Sequence, residues 1–185
     1  ISTPQYSQVS STPVCIELAL EIDYFTRQTF NSDAEAVNWA LAILAGVDQL
    51  YQAQTDASIS ILGIYIWQVT DPYAAYVNDA NNMLGALKNE WLSNGAGINR
   101  DLVHLLTKRT NTGTGGIAYL DVLCWNDYGY GFSSYMNADT TFSFPNPSFT
   151  WNLTVVSHEI GHNIGAMHSF WCGWAADPSF SFQGG

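Results

Sequence analysis

Residues 158 to 168 read His158-Glu159-Ile160-Gly161-His162-Asn163-Ile164-Gly165-Ala166-Met167-His168, a run with three imidazoles and one carboxylate at spacings that suit a metal ion and a base. On an α-helix, residues four apart share a face, so His158 and His162 reach one ion together. His168 lies six residues beyond His162 and cannot converge on that ion from the same straight helix. The chain must turn back, and Gly165 supplies the break because a residue without Cβ accepts the positive φ of a sharp exit. Three neutral nitrogen donors leave a fourth zinc position open to water, the arrangement of catalytic rather than structural sites. A zinc ion held in this way lowers the pKa of water to about 7. Glu159, next to the first ligand, is placed to accept that proton and return it to a leaving amine. The fourth histidine, His104, stands in the apolar run Asp101-Leu102-Val103-His104-Leu105-Leu106-Thr107 and reads as structural.

These residues need a helix that starts well and ends sharply. Trp151 to about Gly165 has helical spacing, with Leu153, Val156, Ile160 and Ile164 as its buried stripe and Thr150 as N-cap. Upstream, Val14 to Asp23 alternates strictly between apolar and mostly polar positions and predicts a half-buried first strand. Ser32-Asp33-Ala34-Glu35 has the spacing of a capping box, followed by a helix to about Gln54 with Val37, Leu41, Leu44, Asp48 and Tyr51 on one face. Ser58 to Val69 reads as a second strand, ended by Asp71-Pro72. A second long helix from about Asp79 turns Met83, Leu84, Leu87 and Trp91 inward and stops at Asn94-Gly95, where glycine suits a left-handed terminus. Asp101 to Thr107 and Gly116 to Trp125 are further strand-like runs, and Tyr130 to Ser134 is a short one. This order predicts an α/β (α+β) architecture, a twisted mixed sheet with packed helices.

The chain has 185 residues and 47% apolar content, enough for one domain with a real core, so residues 1–185 are read as a single unit. Sixteen acidic against five basic residues give a formal charge of −11, with no Lys or Arg cluster. That balance argues against nucleic acid and anionic membranes as partners. No stretch of about 18 apolar residues exists to span a bilayer. Ile1-Ser2-Thr3-Pro4 lacks the regions of a signal peptide, so the chain reads as a mature or excised fragment. Cys15, Cys124 and Cys172 allow at most one internal disulfide and leave one thiol over. Asn152-Leu153-Thr154 is a glycosylation sequon, at a helix start where a glycan would crowd the packing. The aromatic run Trp125, Tyr128, Tyr130, Phe132 and Tyr135 either lines substrate subsites or covers a core edge.

The fully matched H-E-x-x-H-x-x-G-x-x-H pattern resembles the metzincin metallopeptidases and, within them, the adamalysin (reprolysin) family with its microbial relatives. Ile16-Glu17-Leu18 is similar to that family's opening strand, Asp101 with Leu105-Leu106-Thr107 to its third strand, and Gly116-Ile117-Ala118-Tyr119 through Cys124 to its edge strand. The resemblance implies a secreted zinc endopeptidase with zinc on His158, His162 and His168 and Glu159 as general base. It implies a five-stranded sheet, mostly parallel with one antiparallel edge strand, above a horizontal cleft. Gly116, Ile117, Ala118 and Tyr119 would pair with an extended peptide or protein substrate as an added strand. Family members that bind calcium use acidic ligands at positions like Glu17 and Asp101. Two departures stand out: Ser169 follows the third ligand where animal members have Asp, and no methionine downstream of His168 supplies the family's turn beneath the zinc, since Met167 lies inside the motif. The expected completion is a C-terminal segment removed, cleaved or placed on another chain, with family cysteines like Cys124 and Cys172 pairing there. The alternative is a zinc-bearing but incompetent fragment, or a latent domain whose open metal position is filled by a prosegment or by another chain; a zinc hydrolase acting on something other than peptides is a third reading.

Overall fold

In the computed structural model, which describes residues 14–143 and 149–168, the alternating run near the start of the chain forms strand β1 (Val14–Ile22). β1 lies between β2 (Ala57–Ile66) and β3 (Leu102–Leu106), parallel to both. β5 (Tyr130–Ser133) continues the parallel arrangement beside β3, and β4 (Gly116–Ala118) closes the sheet antiparallel to β5. The order β2-β1-β3-β5-β4 is the five-stranded mixed sheet with one antiparallel edge strand that the resemblance implied.

Helices cover both faces of this sheet. On one side α2 (Asp33–Thr55) and α4 (Trp151–Asn163) pack Ile43, Leu44, Val47, Val156 and Ile160 against Ile16, Leu18, Leu20 and Ile22 of β1. On the other, Met83, Leu84, Leu87 and Trp91 of α3 (Ala80–Asn94) meet Ala19, Val103, Leu105, Tyr130 and Phe132. Between β1 and α2 lies the short α1 (Tyr24–Arg27), and a 3-10 turn at Pro72–Ala75 precedes α3.

Coverage on both faces corrects the half-buried reading of β1, because strands of a parallel sheet under helices are buried on each side. Glu21, assigned by alternation to the polar face, is 2% exposed. Its carboxylate accepts hydrogen bonds from Tyr73 Oη at 2.5 Å and from the indole N–H groups of Trp67 and Trp91. Burial pushes its carboxyl above the usual range while those three donors pull it back.

The two long helices start at the expected caps but differ in detail. Ser32 Oγ accepts from Glu35 N at 3.2 Å, while the Glu35 carboxylate reaches back to Asn31 N at 2.8 Å, one residue outside the expected box. The buried line of α2 runs through Ala36, Trp39, Ala40, Ile43, Leu44, Val47, Leu50 and Tyr51, and Leu41 is 41% exposed. Trp39 fixes this rotation: its indole donates to Asn137 O at 2.9 Å and its ring meets Phe30 at 5.4 Å. Gly95 ends α3 at φ −107°, outside the left-handed region. Its glycine is required by space, since a Cβ there would lie 2.4 Å from the Trp91 ring.

The strand expected over Gly116 to Trp125 is confined to Gly116–Ala118. Beyond Tyr119 the chain turns, with Asp121 and Cys124 at φ 56° and 62°, because the amides of 121 and 122 are used at the end of α4. Asn152 of the sequon is fully buried and its side-chain amide donates to Asn137 O (3.0 Å) and Asp139 O (2.7 Å), which closes it to a glycan. Cys15 and Cys124 are both exposed and free, while Cys172 and Ser169 lie outside the described residues.

One polar cluster ties the ends of β1 and β3 together. Asp23 caps α1 through Thr26 N (2.9 Å) and also accepts from Thr107 Oγ1 and Arg109 Nε, each at 2.7 Å. Asp71 accepts from Tyr24 N at 2.9 Å and Arg109 Nη2 at 3.0 Å. Both carboxylates are buried, so Arg109→Met should leave two unpaired buried charges and cost about 3–5 kcal/mol in urea unfolding. A loss within experimental error would show that the cluster does not depend on its cation.

His104 is fully buried with Nε2 2.8 Å from Ser133 Oγ, as its structural reading required. Desolvation pushes its pKa down to about 3, so the native state refuses a proton that the unfolded chain accepts near its ordinary 6.5. Its contribution to stability is complete above that value and disappears progressively toward pH 3. Lowering the pH from about 6.5 to 4.5 should therefore remove about 2–3 kcal/mol that a His104→Gln variant does not lose. Urea midpoints at the two pH values check this.

Candidate metal centre and active-site cleft

α4 is fixed at both ends and in its middle. Thr150 Oγ1 accepts from Leu153 N at 3.4 Å, and Tyr51 of α2 donates to Ser157 O at 2.9 Å. At the C-terminal end the last amides bond back to Ile160, His162 and Gly161 carbonyls, and Gly165 takes φ 98°, the turn the motif spacing demanded. The carbonyls of His162 and Asn163 accept from Asp121 N (2.9 Å) and Val122 N (2.8 Å), so the loop after β4 caps the helix. Asn163 adds a side-chain clamp, donating to Tyr119 O at 2.9 Å and Tyr130 O at 3.0 Å.

The turn at Gly165 returns His168 to the two helical histidines. The three Nε2 atoms form a nearly equilateral triangle: His158 to His162 is 3.0 Å, and each lies 3.1 Å from His168. Among the described residues this is the group of His, Cys, Asp and Glu side chains that could hold a metal. Tetrahedral zinc at 2.0–2.1 Å from each nitrogen sets them about 3.3 Å apart, so the triad fits such an ion with small adjustments. His162 Nδ1 lies 2.7 Å from Ala166 O. A carbonyl accepts only, so Nδ1 carries the proton and Nε2 offers a lone pair to a metal. Burial and the neighbouring His162 and His168 push the His158 pKa down, which keeps that ring neutral as a ligand must be.

Glu159 packs into the contact between α4 and β4, against Gly116. It is 4% exposed, and its Oε2 has no hydrogen-bond partner among the described residues. Desolvation pushes its carboxyl up to about 8 in the metal-free protein. A cleft of about 730 Å³ joins this carboxylate to His158, His162 and His168 and to the edge of the sheet.

Gly116, Ile117 and Ala118 line that cleft as β4, whose outer edge pairs with no strand among the described residues. Tyr119 does not join them: its ring meets Tyr128 edge-on at 5.3 Å on the α3 side of the sheet. The aromatic run divides in the same way, with Tyr130 and Phe132 in the core and Trp125 and Tyr128 packed at a tilt on each other outside the cleft. Glu17 and Asp101 are neighbours through Glu17 N, which donates to Asp101 Oδ2 at 2.8 Å, and Cys124 Sγ lies 3.5 Å from Asp101 Oδ1. Asp121, Ala166 and Asn163 are the site residues that sequence reasoning missed. Only Asn163 carried a signal, as an amide side chain in the last turn of the ligand helix, where a polar group has backbone to bind.

The sequence profile described as Metallo-peptidase family M12 matches residues 12–177. Among solved structures, the fold is similar to metalloproteinase-II from Bacteroides fragilis, with a TM-score of 0.51 and 15% identity, over 89% of this chain and 46% of that one. It is also similar to a chain in a chaperone–substrate complex, with a TM-score of 0.58 and 12% identity, over 87% of this chain and 25% of that one. This chain thus spans less than half the length of either structure. At these identities the likeness is one of fold, and the profile match over most of the chain decides membership: the chain belongs to metallopeptidase family M12.

Proposed function

We propose that this domain is a zinc-dependent endopeptidase in which His158, His162 and His168 hold the metal, Glu159 is the general base, and β4 binds an extended peptide. One observation carries the reading: three Nε2 atoms 3.0–3.1 Å apart share a cleft with a buried, unpartnered carboxylate and a free sheet edge. A bound zinc ion would supply Lewis acidity toward water and the scissile carbonyl.

The chain's own residues supply the rest. The outward main-chain groups of Gly116 and Ala118 offer a substrate backbone the hydrogen bonds of an added strand, which orients the peptide along the cleft, while those of Ile117 pair with Phe132 of β5. Glu159 accepts a proton from water and returns it to the leaving amine. Burial alone favours its protonated form at neutrality, and a cation held by His158, His162 and His168 would favour the ionised form that a base needs. The walls of β4 and α4 limit water around the carboxylate, which strengthens its interaction with developing charge.

A second reading, a zinc-bearing domain that hydrolyses peptides only with a further polypeptide segment or in a form released from a prosegment, is favoured by a hollow on the far flank of α4. This hollow is about 450 Å³ and is bordered by Leu50, Tyr51, Phe149 and Met167, of which Phe149 is 68% and Met167 47% exposed. Peptide hydrolysis by the isolated chain separates the two readings.

Metal analysis and turnover of an internally quenched peptide test the roles. His162→Ala should lose stoichiometric zinc, and Glu159→Ala should keep it while losing at least about 10³-fold in kcat. Removal of the metal by a chelator should abolish turnover, and added zinc should restore it. A Glu159→Ala variant within tenfold of the parent would transfer the base role elsewhere.

A further inference from the structure

Glycine stands at 115 and 116 although neither position has a left-handed backbone; among the described glycines that conformation belongs to Gly113 and Gly165. Space is the reason. A Cβ on Gly116 would lie 2.6 Å from Glu159 Oε1, 2.7 Å from its Cγ and 2.8 Å from its Cδ. On Gly115 it would lie 2.7 and 2.8 Å from the ring of Trp151, which is held in turn by its indole bond to Ser134 O at 3.0 Å. Real side chains do not approach this closely, so each methyl would force its neighbour to move. The two glycines form a notch at the start of β4 against which α4 lies at both its first residue and its carboxylate.

The carboxylate has few other restraints. Its Oε2 has no hydrogen-bond partner among the described residues, so packing fixes its position, and the side chain is almost fully buried. We propose that Gly116 is a positioning residue for Glu159, its bare Cα being the wall on which the carboxylate rests beside the histidine triad. This rests on Glu159 being the base. It gives residue 116 a role separate from substrate pairing, which uses main-chain groups that alanine also has.

The two roles differ in what alanine does. Gly116→Ala should retain the parent's zinc content and a KM within about threefold, yet lose about 10²-fold in kcat, the scale set by displacing a reacting group by about 1 Å. In a Glu159→Ala background the atoms that the new methyl would meet, Cγ, Cδ and Oε1, are gone. Adding Gly116→Ala there should change the residual kcat by less than about threefold. A crystal structure of the metal-free Gly116→Ala variant should show the Glu159 carboxylate displaced by about 1 Å or more. An unmoved carboxylate, an equal loss in both backgrounds, or a loss confined to KM would overturn the proposal. If the parent chain bound no zinc and cleaved no peptide, the functional reading would fail, and the metal-free structure would still decide whether Gly116 sets the carboxylate.

Discussion

Four hydrogen bonds at the C-terminal end of α4 determine where the rest of the site lies. Helix ends leave carbonyls without partners, and here those of His162 and Asn163 are taken by the amides of Asp121 and Val122. The Asn163 side chain returns two bonds to the carbonyls of Tyr119 and Tyr130. The end of the ligand helix and the end of the edge strand are therefore one event. β4 stops at Ala118 because the following amides turn to cap α4, and α4 stops at Asn163 because that cap and Gly165 redirect the chain toward His168. The distance from the histidine triad to the outer edge of β4 is set by this joint, in which His162 takes part only through its backbone carbonyl.

The site itself contains groups that a stable core would avoid. Three nitrogens crowd together, and a buried carboxylate oxygen has no partner, an arrangement that costs stability without a cation to satisfy it. The stabilising polar contacts lie elsewhere. Glu21 satisfies two indoles and a phenol beneath α3, and Asp23 and Asp71 share Arg109 beside α1. Each of these anchors β1 or its continuation, so the central strand is held rigidly under a helix whose active face is not satisfied by the protein alone.

The convergence of three histidines was legible in the sequence because its information is local: helical periodicity and one glycine bring them together whatever lies around them. The five strands and the single antiparallel edge followed from the family resemblance. What escaped depends on contacts between distant segments. Alternation in β1 put Glu21 on a polar face, and the residues that cover it, Trp67, Tyr73 and Trp91, lie 46 to 70 residues later. The face of α2 was misjudged because Trp39 answers to Asn137, and the Gly116–Trp125 run was too long because its second half serves α4. Gly95 was assigned to a backbone angle when its reason is the Trp91 ring. In each case the residue type carried a signal, and the partner that explains it lay outside the local window.

The triad's geometry shows how far the protein prepares the site before any ion arrives. At 3.0–3.1 Å the nitrogens stand a few tenths of an ångström closer than the roughly 3.3 Å of tetrahedral zinc. His158 and His162 share one helical frame, and the His162 ring is further oriented by Ala166 O. That pair is itself 3.0 Å apart, so an ion of this geometry would widen all three distances, each by a few tenths of an ångström. Displacements that small leave the helix and the turn at Gly165 in place. A cation would meet a nearly formed set of donors and lose little to ordering it, which favours affinity through preorganisation.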